Sequence, residues 1–250
     1  VARAEKAGVC LLALSDHDSV SGFAEAQAAA QGRALDLRCG VEINTSHGEN
    51  VHILGYGIRW QDPRLLAVLA EYRERRVRRL HSMIEKLGTL GVALTYEDVR
   101  GQSPETLGRA HLADALRRKG VVATRAEAFR RFLALGRPAY VESLGPSVEE
   151  AIALIRGAGG FAVIAHPGTV ADKADIEAWS KAGLEGIEAF YAGHSPSDII
   201  RFQDLADRFG LVVTGGSDYH GRGTGRDGPM GVEVPDEVGR CFLERFSRCA

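Results

Sequence analysis

Short unbroken apolar runs alternate with amphipathic segments over residues 1–60 and 141–250 of this chain. Val9–Ser15 (VCLLALS) reads as a buried strand, and the alanine-rich Gly22–Gln31 as a helix. Leu35–Ile43 and Val51–Gly57 read as two further strands joined by a short polar loop containing Gly48, which suggests a hairpin. Beyond residue 140, strands are predicted at Phe161–Ala165, Gly186–Phe190 and Leu211–Gly215. Helices are predicted from Ser147, which pairs with Glu150 as a capping box, to Gly157, and at Ala174–Ala182, Pro196–Phe209 and Asp236–Ser247.

Between these two regions the period changes. Asp62-Pro63 places a capping carboxylate before a proline at the first helical position. Leu65, Leu66, Leu69, Tyr72, Leu80, Met83, Ile84 and Leu87 then follow at helical spacing. Thr95 with Asp98, and Thr124 with Glu127, mark further helix starts. Strand signal is nearly absent over residues 61–140. The pattern therefore predicts an α/β domain made of residues 1–60 and 141–250, with 61–140 as a helical insertion lying as a lid over it.

Composition narrows the class. A hydrophobic fraction of 45% supports a sizeable core, and a net charge of −2 gives no global reason to expect nucleic acid or membrane as partner. No apolar run approaches the roughly 20 residues that span a bilayer. The four cysteines have no CxxC spacing and read as residues of a reducing compartment, with the cytoplasm as default. The opening residues, ending at Gly8, have the composition of the last turns of a helix, so the expectation is of natural sequence upstream; an unusual start codon is the alternative.

Chemistry concentrates where strands end. His17 follows the first strand, Glu42 the second, and His166 the run FAVIA; Asp218 and His220 follow LVVTGGS, and His52 lies on the strand after Glu42. In a parallel α/β barrel such strand ends converge on one face. Imidazoles mixed with carboxylates suit Mn²⁺, Zn²⁺ or Fe²⁺, and Glu42 is the candidate to bridge two ions. Asp16 is either a turn residue or a neighbour of the ligands. His47 and His81 read as surface residues. His194 either borders the site or serves its loop. Arg109 and His111 either hold a substrate phosphate and assist a leaving group, or are ordinary residues of a helix start. The five arginines of Arg73–Arg79 either touch an RNA backbone or form a solvated face paired with Glu71 and Glu74; the second reading is favoured.

The motifs LALSDHDSVSGFAEA, GVEINT, VHILGYG, AHPG and GGSDYHG, in this order, resemble the PHP (polymerase and histidinol phosphatase) family. GRAHLADAL and RRFLALGRPAYV resemble its subgroup of nucleoside 3′,5′-bisphosphate phosphatases and 5′-to-3′ exoribonucleases. The resemblance implies a distorted (β/α)7 barrel with two or three divalent ions, commonly manganese. It implies His17, Glu42, His52, His166, Asp218 and His220 as ligands and Arg109 and His111 as substrate-facing residues; His194, just past a strand end, is kept beside them as a candidate substrate-binding residue. It further implies an HxH pair on a first strand and a following Asp; these are absent here and are expected upstream of Val1. The implied reaction is hydrolysis of phosphate esters of small nucleotides or short RNA 5′ ends by a metal-held hydroxide, with no duplex DNA or membrane partner. The alternatives are a phosphatase of another small phosphomonoester such as histidinol phosphate, or a non-catalytic PHP-like module; a polymerase editing domain would need a much longer parent chain.

Overall fold

The computed structural model describes residues 1–48, 50–100, 106–169, 173–221 and 228–249. Helix α1 (Ala2–Lys6) leads through Gly8, in the left-handed region at φ 77°, into β1 (Leu11–Leu14). There follow α2 (Phe23–Ala30), β2 (Asp36–Asn44) and β3 (His52–Tyr56). The insertion contains α3 (Pro63–Thr89), α4 (Tyr96–Arg100), α5 (Arg109–Arg118) and α6 (Arg125–Ala128), which runs into a π-helical turn at Phe129–Leu133. The α/β rhythm resumes with α7 (Val148–Gly157), β4 (Phe161–Ile164), a 3₁₀ turn at Pro167–Thr169, α8 (Lys173–Lys181), β5 (Gly186–Tyr191), α9 (Pro196–Phe209), β6 (Val212–Gly216) and α10 (Asp236–Phe246).

Among the described residues the six strands form one sheet in the order β1-β2-β3-β4-β5-β6, curled into a half-barrel, with β1 and β6 at its two edges. The sheet is mixed, not parallel throughout. β3 runs antiparallel to both β2 and β4, while β1–β2, β4–β5 and β5–β6 are parallel. The cause is the short loop from Asn44 to His52, which can close a hairpin but cannot carry the chain back for a parallel crossover. The reversal has a consequence for function. It puts the beginning of β3 beside the ends of β2 and β4, so His52 opposes Asn44 and its carbonyl accepts from Ala165 N–H.

Three buried clusters hold the chain among the described residues. One, built on Val41, Ile43, Ile53, Ile152, Ile155 and Ile164, fills the space between sheet and helices; the second, built on Leu87, Leu112, Leu116 and Leu133, lies within the insertion; the third, built on Leu54, Tyr56, Phe161 and Val163, packs the sheet against Phe242 of α10. Helix α3 spans the first two. Asp62 caps it, its Oδ1 accepting from Arg64 N–H at 2.8 Å and Leu65 N–H at 3.2 Å. Its Leu65, Leu69 and Tyr72 join the first cluster, and its Leu80, Met83 and Leu87 the second. The expected capping boxes form at Thr95–Asp98 and Ser147–Glu150, each with reciprocal bonds to backbone N–H groups.

Close backbone approach fixes the register of β3 on β4. A Cβ added to Gly160 would lie 2.4 Å from Tyr56 O and 2.6 Å from Ile58 Cγ2. Gly160→Ala therefore overpacks a rigid site, and a loss of about 1–3 kcal/mol is expected. In thermal unfolding this is a fall in Tm of roughly 2–4 °C per kcal/mol; an unchanged Tm would show that the strand ends can part without cost.

Candidate metal centre

Glu42 is the hub of the site. It is 5% exposed near the end of β2, a strand continuous enough to carry a carboxylate into the interior. His52 Nδ1 lies 2.6 Å from Glu42 Oε1, and His166 Nε2 lies 3.4 Å from the same oxygen. His17 Nδ1 stands 3.6 Å from Oε2, and His17 and Glu42 also form a parallel β-bridge. The rings of His17 and His52, and of His52 and His166, meet edge to face with centroids 5.0 Å apart. His220 closes the row at 5.7 Å from His17, with its Nδ1 3.2 Å from Asp218 Oδ1. All six residues read from the strand ends thus meet in one continuous cluster.

The backbone is unusual at the same places. His166 and Asp218 have φ of 32° and 51°, and Asp18, next to His17, has 47°. Non-glycine residues rarely occupy this region, and such strain gathers at functional sites.

Burial sets the charges. It is the main influence holding the His17 and His52 imidazoles below the ordinary histidine value, against the pull of Glu42. Burial alone would raise Glu42, but the charges of His17 and His52 and the hydrogen bonds from His166 and His52 outweigh it and hold the carboxyl well down. Burial would also lower His166; its hydrogen bond to Glu42, with the charges of Glu42, Glu188 and Asp218, raises it instead. The result is an ionised carboxylate surrounded by imidazoles, a donor set that matches a borderline divalent cation.

His17, Glu42 and His52 each offer a ligand atom within 4.8 Å of one another. His17 Nδ1 is buried with no hydrogen-bond partner among the described residues, the state of a ring nitrogen shaped for something other than protein. On both counts the residues fit a metal ion.

The cluster opens into a cavity of about 1350 Å³ whose far wall is the insertion. Arg109, at the first turn of α5, lies 3.4 Å by its Nη2 from Asn50 Oδ1 and stacks over Phe129. His111 Nδ1 accepts from Gly108 N–H at 3.2 Å, so in the neutral ring the proton sits on Nε2. Burial holds His111 below the ordinary histidine value. The neutral ring is thus suited to donate a hydrogen bond. Both residues line the cavity; His194 does not. Its Nδ1 lies 2.9 Å from Ala189 O and its Nε2 accepts from Gly168 N–H at 3.1 Å, which engages both ring nitrogens in holding the loop after β4.

Three residues escaped the sequence reading. Glu188 on β5 is 5% exposed, lines the cavity and accepts His166 N–H at 2.8 Å; burial pushes its carboxyl up to about 8. Its only sequence signal is a carboxylate inside the apolar run GIEAF. Asp18, 1% exposed, accepts Asn44 N–H at 3.3 Å and is gripped by Arg76. Arg76 also overturns the reading of Arg73–Arg79 as a solvated face. Arg73 Nη1 donates to Asp18 O at 2.8 Å, Arg76 pairs with the Asp18 carboxylate, and Arg79 Nε donates to Val141 O at 2.9 Å. Arg75, paired with Glu71, fits the solvated face as read.

The chain is 39% identical over 232 residues to the 3′,5′-nucleoside bisphosphate phosphatase of Chromobacterium violaceum, covering 89% of this chain and 81% of that protein. It belongs to this family of phosphate-ester hydrolases. It is also 33% identical to the 5′-3′ exoribonuclease of Haemophilus influenzae, over 88% of this chain and 82% of the relative. A solved structure from Bifidobacterium adolescentis, called a metal-dependent phosphoesterase, superposes with a TM-score of 0.84 at 32% identity, covering 100% of this chain and 90% of that one. No protein-family model matches the chain. No helix among the described residues is long and apolar enough to cross a membrane.

Proposed function

We propose that this chain is a PHP-type metal-dependent phosphoesterase that hydrolyses phosphate esters of small nucleotides, nucleoside 3′,5′-bisphosphates or the 5′ ends of short RNA. One observation carries the reading: a buried carboxylate, Glu42, contacted by His17, His52 and His166, shares with an arginine and a neutral histidine a cavity of about 1350 Å³, roomy enough for a nucleotide. Relatives that act on nucleoside bisphosphates and on RNA support the substrate class.

His17, Glu42 and His52 would hold one divalent ion; His166, Asp218 and His220 are the proposed ligands of a second. Manganese is the proposed metal, with zinc or iron suited to the same donors. Bound there, the metal supplies acidification of an attacking water and neutralisation of charge on the phosphoryl oxygens. The protein does the rest. Arg109 offers its guanidinium fork to a phosphate. His111 Nε2–H donates to the ester or leaving oxygen. The insertion (residues 61–140) acts as a lid over the half-barrel, limiting entry to nucleotides and chain ends and excluding duplex.

The test is phosphate or nucleotide release, with Mn²⁺ present, from adenosine 3′,5′-bisphosphate, short 5′-phosphorylated RNA and histidinol phosphate. Turnover of either of the first two is expected. Turnover of histidinol phosphate alone would move the activity to another phosphomonoester, and no turnover of any would favour a non-catalytic module.

A further inference from the structure

His166 holds a backbone conformation that its own sequence opposes. Its φ is 32°, a region that a Cβ disfavours. The proline that follows, Pro167, pushes the residue before it towards extended backbone instead. A strained residue of this kind persists only where its surroundings fix it. The regular sheet does not reach it, because the β4–β5 ladder ends with Ile164 opposite Ile187, two residues short of His166. A side chain takes over there: Glu188 Oε2 accepts the His166 N–H at 2.8 Å.

Both neighbouring strands are shaped around that carboxyl. Ile187 and Ala189 lie in the core cluster between sheet and helices, so alternation along β5 sends Glu188 to the opposite face, where it lines the cavity. The register on β6 slips between Glu188 and Phe190, and such a bulge re-aims a side chain. Across from it, Gly216 leaves the space bare. A Cβ there would lie 2.5 Å from Glu188 Oε1 and, among the described residues, would meet nothing but this carboxyl. Glu188 is thus seated between the end of β4 and the end of β6, two residues before Asp218. Protonated or not, it keeps an acceptor oxygen for the His166 N–H. Resting on the metal-dependent reading above, we propose that Glu188 is a positioning residue: by holding the His166 backbone in its strained form it aims the imidazole at the histidine cluster and sets the affinity of the site for its ion.

The experiment titrates Mn²⁺ by calorimetry into the chelated full chain, as wild type, Glu188→Gln, Glu188→Ala, Gly216→Ala and the Glu188→Ala, Gly216→Ala pair, with folding checked by thermal unfolding. Glu188→Ala should bind Mn²⁺ about 10- to 100-fold more weakly, the usual effect of removing a group that orients a metal ligand. Glu188→Gln keeps a carbonyl oxygen for the His166 N–H and should bind within about threefold of wild type. Gly216→Ala approaches from the other side: its methyl displaces the carboxyl from His166, so affinity should fall about 10-fold or more. In the Glu188→Ala background the same methyl meets nothing, and the further loss should be no more than about twofold. A merely structural role would lower Tm without rescue by glutamine and without this dependence on Glu188. Should Glu188→Ala fail to fold, Glu188→Asp, one methylene too short to reach either neighbour, replaces it in the cycle. A folded Glu188→Ala or Glu188→Asp with affinity within about twofold of wild type, a Glu188→Gln as weak as Glu188→Ala, or an equal loss from Gly216→Ala with and without Glu188 would overturn the proposal and leave the metal reading intact. A wild type that binds no Mn²⁺ would overturn both.

Discussion

Glu42→Gln should leave a folded protein whose rate of phosphate release is lower by about 10³-fold or more, since metal assistance contributes several kcal/mol and each 1.4 kcal/mol is tenfold. The substitution is nearly isosteric, so the β2–β3 register and the surrounding core are undisturbed. The chemistry is not preserved. Glu42 meets His52 and His166 through Oε1 and His17 through Oε2, and an amide can present an oxygen to only one side. The other side receives an NH₂ group, which neither binds a cation nor balances charge. Bound divalent metal should fall with activity. Steady-state rates together with elemental analysis check this, and a variant keeping more than about a tenth of wild-type rate would remove Glu42 from the centre of the site.

Stripping the protein of divalent ions with a chelator should produce a comparable loss, about 10³-fold, reversed by adding back metal. At neutral pH two of the ligands are ready for the ion, because burial keeps His17 and His52 below the ordinary histidine value and no proton need be displaced from them. Reloading should also stabilise the fold. At a free metal concentration 1,000 times Kd the gain is about 4 kcal/mol, and at 2–4 °C per kcal/mol the Tm should rise by roughly 10 °C. Comparing Mn²⁺, Zn²⁺ and Fe²⁺ by both readouts identifies the preferred ion. An unchanged Tm on saturation would mean that the histidine cluster is not where the metal goes.

Much of the molecule was legible because its signals are local. Apolar runs such as FAVI and VVTGG announced β4 and β6, and Asp62-Pro63 and Ser147–Glu150 announced the starts of α3 and α7. The six cluster residues were found because each ends or begins a strand, and curling of the sheet brings those ends together. The antiparallel course of β3 was legible as a hairpin but not its pairing with β4, which depends on long-range register. Arg76 was misread because charge was taken as a mark of solvent. Its spacing with Tyr72 and Leu80 placed it on the buried face, but only a three-dimensional partner, Asp18, reveals why a cation is tolerated there. Glu188 was passed over for a related reason: inside an apolar strand it resembles an isolated polar residue until His166 is seen to bond to it. His194 had two readings, a border of the site or a support of its loop, and the bonds of both its ring nitrogens to backbone groups fit the second.

The most direct measurement is a metal titration of chelated full-chain protein, recording bound divalent metal per chain and the rate of phosphate release from adenosine 3′,5′-bisphosphate at each step. The account predicts a rate near zero in the stripped protein that rises in step with metal bound, and no such rise in Glu42→Gln. Full-rate hydrolysis by the stripped protein, or a rise that Glu42→Gln reproduces, would contradict it.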